Sequence, residues 1–201
     1  MKLRRERYPI HAFPWETSLG SRRDHRQTVT LAALGIVYTL TGNLTRAAEL
    51  LPQALQMQEA MNATMSLGWT HQYLGILAYL QGDDGRAARH FQESLESTPQ
   101  GGAQYVIPLS LEGIAGVLGM RQQPVCAAEL LGAEEATRER MELPHPPIEQ
   151  LFYAAILENV QKSLTPEVFA DAWQRGRRLT MNEAIREATT VIRGRNNVPA
   201  A

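Results

Sequence analysis

The chain repeats itself with a period of 40 residues. A pair of adjacent alanines begins at residues 47, 87 and 127, and a large apolar residue lies four positions after the start of each pair, at Leu51, Phe91 and Leu131. Twelve residues before each pair lies a small residue, namely Gly35, Gly75 or Ala115. A fixed period of this length is the signature of a repeat architecture, in which each unit buries its apolar face against its neighbour. Three stacked units are therefore expected between Thr28 and Glu142.

Each unit is predicted to be a pair of helices. Apolar residues recur at helical spacing on both sides of a polar turn, at 41–43, 81–85 and 120–124. The small residue of the first helix and the alanine of the second let the two helices pack closely. The sequence thus predicts an all-α solenoid of about three helical hairpins.

These units resemble the tetratricopeptide repeat (TPR). Leu34-Gly35-Ile36-Val37-Tyr38 matches its L-G-x2-Y pattern, and Ala87 to Phe91 with Pro99 matches A-x3-F followed by a proline. The period exceeds the usual TPR length of about 34 residues and falls in the range of HEAT repeats, which remain the alternative. Longer helices or linkers are therefore expected. The third unit diverges most, with Leu118 at the position of Tyr38.

Three further helices are predicted after a proline-rich break at 143–147. The first runs from about Ile148 to Ser163. The second has Thr165 as its N-cap and ends at Gly176, and the third opens with a capping box of Thr180 and Glu183. The predicted divisions are an irregular extension (1–27), TPR-like repeats (28–142), C-terminal capping helices (143–193) and a flexible tail (194–201).

The second half of the chain also resembles the C-terminal TPR sensor region of LuxR-like and predicted-ATPase transcriptional regulators of bacteria. Five motifs occur in the family's order: Leu111-Glu112-Gly113-Ile114-Ala115, Leu130-Leu131-Gly132-Ala133-Glu134-Glu135, Pro146-Pro147, Phe169 to Arg177, and Leu179-Thr180-Met181-Asn182-Glu183-Ala184. Val125-Cys126 departs from the acidic residue and arginine that are common there. The sequence has neither a phosphate-binding P-loop nor a DNA-reading helix-turn-helix after Thr190. The resemblance therefore implies a sensor fragment of such a regulator, or a stand-alone relative.

Composition limits the class of protein. The chain has 201 residues, a net charge of -1 and a single cysteine, Cys126, so a disulfide-stapled scaffold is excluded. Arginine outnumbers lysine 18 to 2, but acidic residues cancel the arginine clusters, and nucleic-acid binding is not expected. We find no signal peptide and no apolar stretch long enough for a membrane helix, and we expect a soluble cytoplasmic protein.

No catalytic set or metal site emerges from the sequence. The five histidines, His11, His25, His71, His90 and His145, include no i,i+4 pair, and Cys126 is expected to be a small buried residue. Gly113, Gly116 and Gly119 indicate close helix packing, and Asp83-Asp84 indicates a turn. The acidic residues Glu134, Glu135, Glu139 and Glu142 are expected on solvated helix faces. We therefore predict no enzyme activity and no cofactor.

The resemblance to TPR proteins implies a protein-binding groove, since the first helix of each repeat lines the concave surface of a TPR superhelix. The residues so assigned are Ala32, Ile36, Thr39, Trp69, Gln72, Ile76, Tyr79, Leu109, Glu112 and Gly116. This apolar surface suits an amphipathic helix from a protein partner or from another domain of the same regulator. Two alternatives remain open. The C-terminal helices fold back and fill the groove, or a small-molecule inducer binds near Trp69, Tyr79, Phe152 and Trp173.

Overall fold

The computed structural model describes residues 22–97, 105–145 and 149–193. These residues form nine helices and no strand, which confirms the predicted all-α class. The helices are α1 (Arg22–Leu40), α2 (Leu44–Ala60), α3 (Thr64–Leu80), α4 (Asp84–Glu96), α5 (Val106–Met120), α6 (Pro124–Met141), α7 (Gln150–Lys162), α8 (Pro166–Arg177) and α9 (Met181–Arg193). None of them combines the length and the apolar character that a membrane crossing requires.

The first six helices form three successive hairpins. Their turns place Gly42, Gly82 and Gln122 at equivalent positions with φ of 80°, 76° and 58°. Glycine adopts this left-handed conformation without a steric penalty, whereas glutamine does not. Asn43 and Asp83 then cap α2 and α4 by accepting a backbone N–H bond, while α6 begins with a proline instead of a side-chain cap. The third turn is therefore the most diverged in structure as well as in sequence.

The helices of the hairpins pack closely at the small residues where the sequence predicts it. A Cβ atom added at Gly35 would lie 2.7 Å from the Leu51 side chain, and one added at Gly75 would lie 2.6 Å from Phe91. Ala47, at the matching position of the second helix, has no exposed surface. The equivalent Ala87 and Ala127 are buried to the same extent. The prediction of close helix crossing is confirmed.

Long helices explain the long period of the first unit, where α1 and α2 contain 19 and 17 residues. In the second unit α3 contains 17 residues and α4 only 13, and α5 begins at Val106 although α4 ends at Glu96, so a long connection contributes as well. Helix α1 begins at Arg22, inside the stretch 1–27 that was predicted to be irregular. The rest of that stretch and the predicted tail 194–201 lie outside the described residues.

The C-terminal helices begin largely where the sequence predicts. The Thr165 hydroxyl caps α8 by accepting the N–H of Val168. At the start of α9 the Thr180 N–H donates to Glu183 over 2.8 Å, and the Glu183 N–H donates to the Thr180 hydroxyl over 3.3 Å, forming the predicted capping box. One prediction is wrong: α8 continues through Gly176 to Arg177.

Gly176 serves helix packing instead. A Cβ atom on Gly176 would lie 1.8 Å from the backbone oxygen of Glu129, and one on Gly132 would lie 2.2 Å from the backbone oxygen of Trp173. The two glycines therefore let the backbones of α6 and α8 approach each other directly. Helix α7 packs on α5 and α6, and α9 packs on α4, α5 and α6. The last three helices thus cover the third hairpin.

Candidate functional site

An apolar groove lies between α1 and α3 and is closed at its base by the end of α2. It encloses a cavity of about 270 Å³. The predicted groove residues Ala32, Ile36 and Trp69 line it. Its other lining residues are Thr28, Val29, Ala33, Val37, Gln58, Met61, Ala63, Ser66, Thr70 and Tyr73.

The walls of this groove are mainly apolar, and among the described residues one buried polar atom in it has no hydrogen-bond partner. The Trp69 and Tyr73 rings stack with their centroids 6.4 Å apart, and Val37 on the facing helix is 52% exposed. The Gln58 side chain is buried, and its Oε1 atom accepts no hydrogen bond from the described residues. A buried amide oxygen without a donor costs free energy, so this atom favours an incoming N–H or O–H group.

The rest of the predicted surface is buried between helices. Gln72 has no exposed surface, donates to the Leu109 backbone oxygen over 2.9 Å and accepts from Ser110 over 2.8 Å. Thr39 is also buried and donates to the backbone oxygen of Gly35. Gln72 therefore links α3 to α5, and so joins the second hairpin to the third. The Thr39 bond lies within α1 and satisfies a buried hydroxyl locally.

Helix α7 covers the α5 end of the predicted surface. The Phe152 ring meets Tyr79 edge to face at 5.3 Å, and a Cβ atom on Gly116 would touch Ile156 at 2.9 Å. The Tyr73 hydroxyl donates to Glu149, just before α7, over 2.9 Å. Ile76, Leu109 and Glu112 are buried as well. The predicted groove is thus open at α1 and α3 and largely covered by α7 at the α5 end, where an opening of about 300 Å³ remains beside Tyr79 and Gly116.

A charged cluster is buried under this cover. Glu112 and Glu134 have no exposed surface, and Arg138 is 5% exposed. The Arg138 Nε atom donates to Glu134, whereas its Nη2 atom is 3.7 Å from Glu112. Neither carboxylate oxygen of Glu112 has a hydrogen-bond donor among the described residues. The His145 imidazole lies 3.7 Å from Glu134.

Burial dominates the protonation of this cluster. It raises the pKa of Glu134 to about 7, against the opposing charge of Arg138, and it raises the pKa of Glu112 well above its ordinary value. It lowers the pKa of His145 to about 4. The expectation that Glu134 lies on a solvated face is therefore wrong. The sequence of α6 alone could not predict the burial of Glu134, because the residues that cover its side chain come from α5, from α7 and from the loop before α7.

The aromatic residues considered for an inducer occupy three different ring pairs. Trp69 stacks on Tyr73, whereas Tyr79 meets Phe152. Trp173 lies 5.2 Å from Phe169, and its Nε1 donates to Glu135 on α6.

Two histidines that are 19 residues apart in sequence meet between α3 and α4. The Nδ1 atoms of His71 and His90 are 3.2 Å apart. Glu93 Oε2 lies 3.0 Å from the first nitrogen and 3.7 Å from the second. Burial lowers the pKa of His71 and lowers that of His90 to about 4. Sequence reasoning missed this trio, although the i,i+3 spacing of His90 and Glu93 on a helix was a usable signal.

Cys126 and the glycines of α5, which the sequence singles out, pack against neighbouring side chains. Cys126 is a free thiol at intermediate exposure and packs at the edge of the core. Gly113 and Gly116 lie in α5 against Phe91 and Ile156, as expected for close packing. The same expectation is wrong for Gly119, where an added Cβ atom would meet only Val160 among the described residues, at 3.8 Å.

The charged residues of the C-terminal half pair with one another. Arg177 donates to both Glu135 and Glu139, and Arg175 lies 3.7 Å from Glu129. The arginines at positions 4, 5 and 7 and the histidine at position 11 lie outside the described residues.

Comparison with known proteins identifies the first hairpin. The tetratricopeptide-repeat family model matches residues 28–62, which cover most of α1 and all of α2. No curated protein and no solved structure matches the chain. The chain therefore contains a tetratricopeptide-repeat region, and its helices fit a solenoid of repeated hairpins. Repeats of this kind generally mediate protein–protein interaction and are typically non-catalytic.

Proposed function

We propose that this chain is a non-enzymatic interaction module, whose groove between α1 and α3 holds an apolar helix face from a protein partner or from another domain of a bacterial regulator. One observation carries the proposal: the groove beside Val37 and Trp69 is open and apolar, whereas α7 packs against Tyr79 and Gly116 at the α5 end and leaves only a more polar opening there. Such a module would act in the cytoplasm, where a transcription regulator works.

The chemistry of the groove favours a helix with an apolar face. Among the described residues that line it, none carries a charge, so an acidic chain terminus would find no cation to bind. Apolar side chains spaced at i, i+3 and i+4 would contact Ile36 and Trp69. A donor beside them would satisfy the Oε1 atom of Gln58.

The regulator context is supported by contacts between the sequence motifs. The Leu-Leu-Gly-Ala-x-Glu motif lies on α6, and the Phe-x-x-Ala-Trp-x-x-Gly-Arg motif lies on α8. Glu135 of the first motif accepts from both Trp173 and Arg177 of the second. The two glycines, Gly132 and Gly176, form the close backbone contact between the same helices. The motifs therefore describe one packing unit, as a sensor region of this type would need.

The inducer-binding alternative has less support. The cavity of about 270 Å³ is slightly smaller than the pockets of roughly 300–1,000 Å³ that hold drug-sized ligands. The four aromatic residues considered for it belong to three separate ring pairs. A metabolite that raises the melting temperature and blocks partner binding would favour this alternative.

Site-specific photo-cross-linking in the native host tests the proposal. A benzoyl-phenylalanine replaces Val37 in the groove or, as a matched control, Val168 on α8, which is 42% exposed. We expect a protein adduct from position 37 whose cross-linked segment is an amphipathic helix, and much less of that adduct from position 168. The proposal fails if position 37 gives no protein adduct, gives only adducts to other residues within 1–201, or gives the same adduct as position 168.

A further inference from the structure

We propose that His71, His90 and Glu93 form a binding site for a divalent transition-metal ion, with Zn²⁺ as the probe. Two imidazole nitrogens and one carboxylate oxygen converge between α3 and α4, with separations of 3.0, 3.2 and 3.7 Å. All three can donate an electron pair to one ion. This site is separate from the groove between α1 and α3 and does not depend on the function proposed for it.

The three separations match the geometry of a bound zinc ion. Zinc binds imidazole nitrogen and carboxylate oxygen at about 2.0–2.1 Å in tetrahedral sites, which places neighbouring ligand atoms about 3.3 Å apart. The three atoms therefore describe one face of such a tetrahedron. Glu93 is partly exposed, so the fourth position can be filled by water.

Hydrogen bonding alone satisfies this trio poorly. A neutral imidazole carries its proton on one nitrogen only, and the Glu93 carboxylate has none to give. If His71 Nδ1 carries the proton, its N–H can donate towards His90 and Glu93. The lone pair of His90 Nδ1 then faces the Glu93 carboxylate oxygen at 3.7 Å with no proton between them. One cation at the centre satisfies all three contacts together.

Rigid helices hold the ligands in place. His90 and Glu93 lie one turn apart on α4, and His71 faces them from α3. On one side of the site Phe91 fills the space beside Gly75, and on the other the Ser94 hydroxyl donates to the Gly68 backbone oxygen over 2.7 Å. Ligands supported in this way need little reorganisation to bind an ion.

Charges of both signs surround the site, because Arg86 and Arg89 oppose a positive charge at His90 while carboxylates favour one at His71. The carboxylates of Glu93 and of Glu59 on α2 lie near enough to His71 to stabilise a positive charge there. A second group of three possible ligands, Glu112, Glu134 and His145, is less suitable. There the Arg138 guanidinium already lies next to both carboxylates. The buried cluster therefore has its own cation, and the histidine pair is the better metal site.

Metal titration of the tag-free full chain tests the site. Zn²⁺ is titrated against a chromophoric chelator, stoichiometry is measured by mass spectrometry, and Co²⁺ is added to read the tetrahedral absorption bands. The variants are His90→Gln and Glu93→Gln. Two controls accompany them: Glu96→Gln lies on the exposed face of the same helix, and His145→Gln alters the buried cluster.

We expect one Zn²⁺ per wild-type chain, a tetrahedral Co²⁺ spectrum and a loss of affinity of about ten-fold or more in both site variants. Both controls should bind as the wild type does. If His90→Gln unfolds by circular dichroism, Glu93→Gln, whose side chain is 41% exposed, decides the matter. The proposal is overturned if the folded wild type binds no metal, which would leave a hydrogen-bonded trio only. It is equally overturned if folded Glu93→Gln binds Zn²⁺ unchanged and keeps the Co²⁺ spectrum.

Discussion

At the scale of single residues, burial rather than sequence context sets the chemistry of the charged side chains. Glu134 and Glu135 are neighbours on α6, yet the first is fully buried and the second accepts from Arg177 at the surface. Burial raises the pKa of Glu134 to about 7. The carboxyl group therefore keeps its proton in the folded protein at pH values where the unfolded chain has lost it.

This shift makes a testable difference to stability. The protonated Glu134 carboxyl group contributes to the free energy of unfolding. This contribution is fully present below the ordinary pKa of about 4.5 and is lost as the pH rises through about 7. His145, with its pKa lowered to about 4, acts in the opposite direction, since it adds stability as the pH rises from about 4 to about 6.5. Comparison with Glu134→Gln reports the first contribution together with its coupling to His145, because the two side chains are 3.7 Å apart.

Urea unfolding of wild type and Glu134→Gln should therefore show a difference that depends on pH. We expect the free energy of unfolding of the wild type to fall relative to the variant between about pH 5 and about pH 7. Glu158→Gln on exposed α7 surface serves as the control, since Lys162 lowers the pKa of Glu158 and solvent screens the pair. A difference for Glu134→Gln that stays constant over this range contradicts the account.

At the scale of helices, contact between α6 and α8 depends on two glycines. Gly176→Ala would place a methyl group 1.8 Å from the Glu129 backbone oxygen, and backbone atoms cannot turn aside as a flexible side chain can. Overpacking of this kind costs about 3 kcal/mol, which outweighs the gain of about 1 kcal/mol from replacing a helical glycine by alanine. Gly176→Ala should therefore be destabilised, with a lower denaturant midpoint by circular dichroism.

Gly119→Ala in α5 is the matched control for that prediction. Its new methyl group would meet Val160 at 3.8 Å, which is an ordinary van der Waals contact. We expect this variant to be as stable as the wild type or up to about 1 kcal/mol more stable. If Gly176→Ala unfolds at the same denaturant concentration as Gly119→Ala, the direct contact between α6 and α8 is not present.

At the scale of the whole molecule, the sequence predicts the hairpins better than it predicts the surface they present. The period is visible because small residues recur every 40 residues, and in the first two units the contact of Gly35 with Leu51 is repeated by that of Gly75 with Phe91. The sequence left open whether the C-terminal helices cover the groove, and it did not predict the histidine pair, for a common reason. Neither the position of α7 over Gly116 nor the meeting of His71 with His90 is recorded in any local spacing, because each depends on contacts between distant segments.

The division of the groove is the central consequence of this arrangement. Trp69 lies in the open part, whereas Phe152 lies on α7, which covers the other end. A bound helix would therefore depend on Trp69, and the Phe152 side chain would act only through the stability of the fold.

The most direct test measures the affinity of the partner segment recovered by cross-linking at position 37, using calorimetry with wild type, Trp69→Ala and the control Phe152→Ala. We predict that Trp69→Ala, while still folded, weakens binding by about 30-fold, as loss of a central aromatic anchor does, and that Phe152→Ala changes it by less than about three-fold. Unchanged affinity in folded Trp69→Ala, or a loss confined to folded Phe152→Ala, would contradict the assignment of the open groove as the binding site.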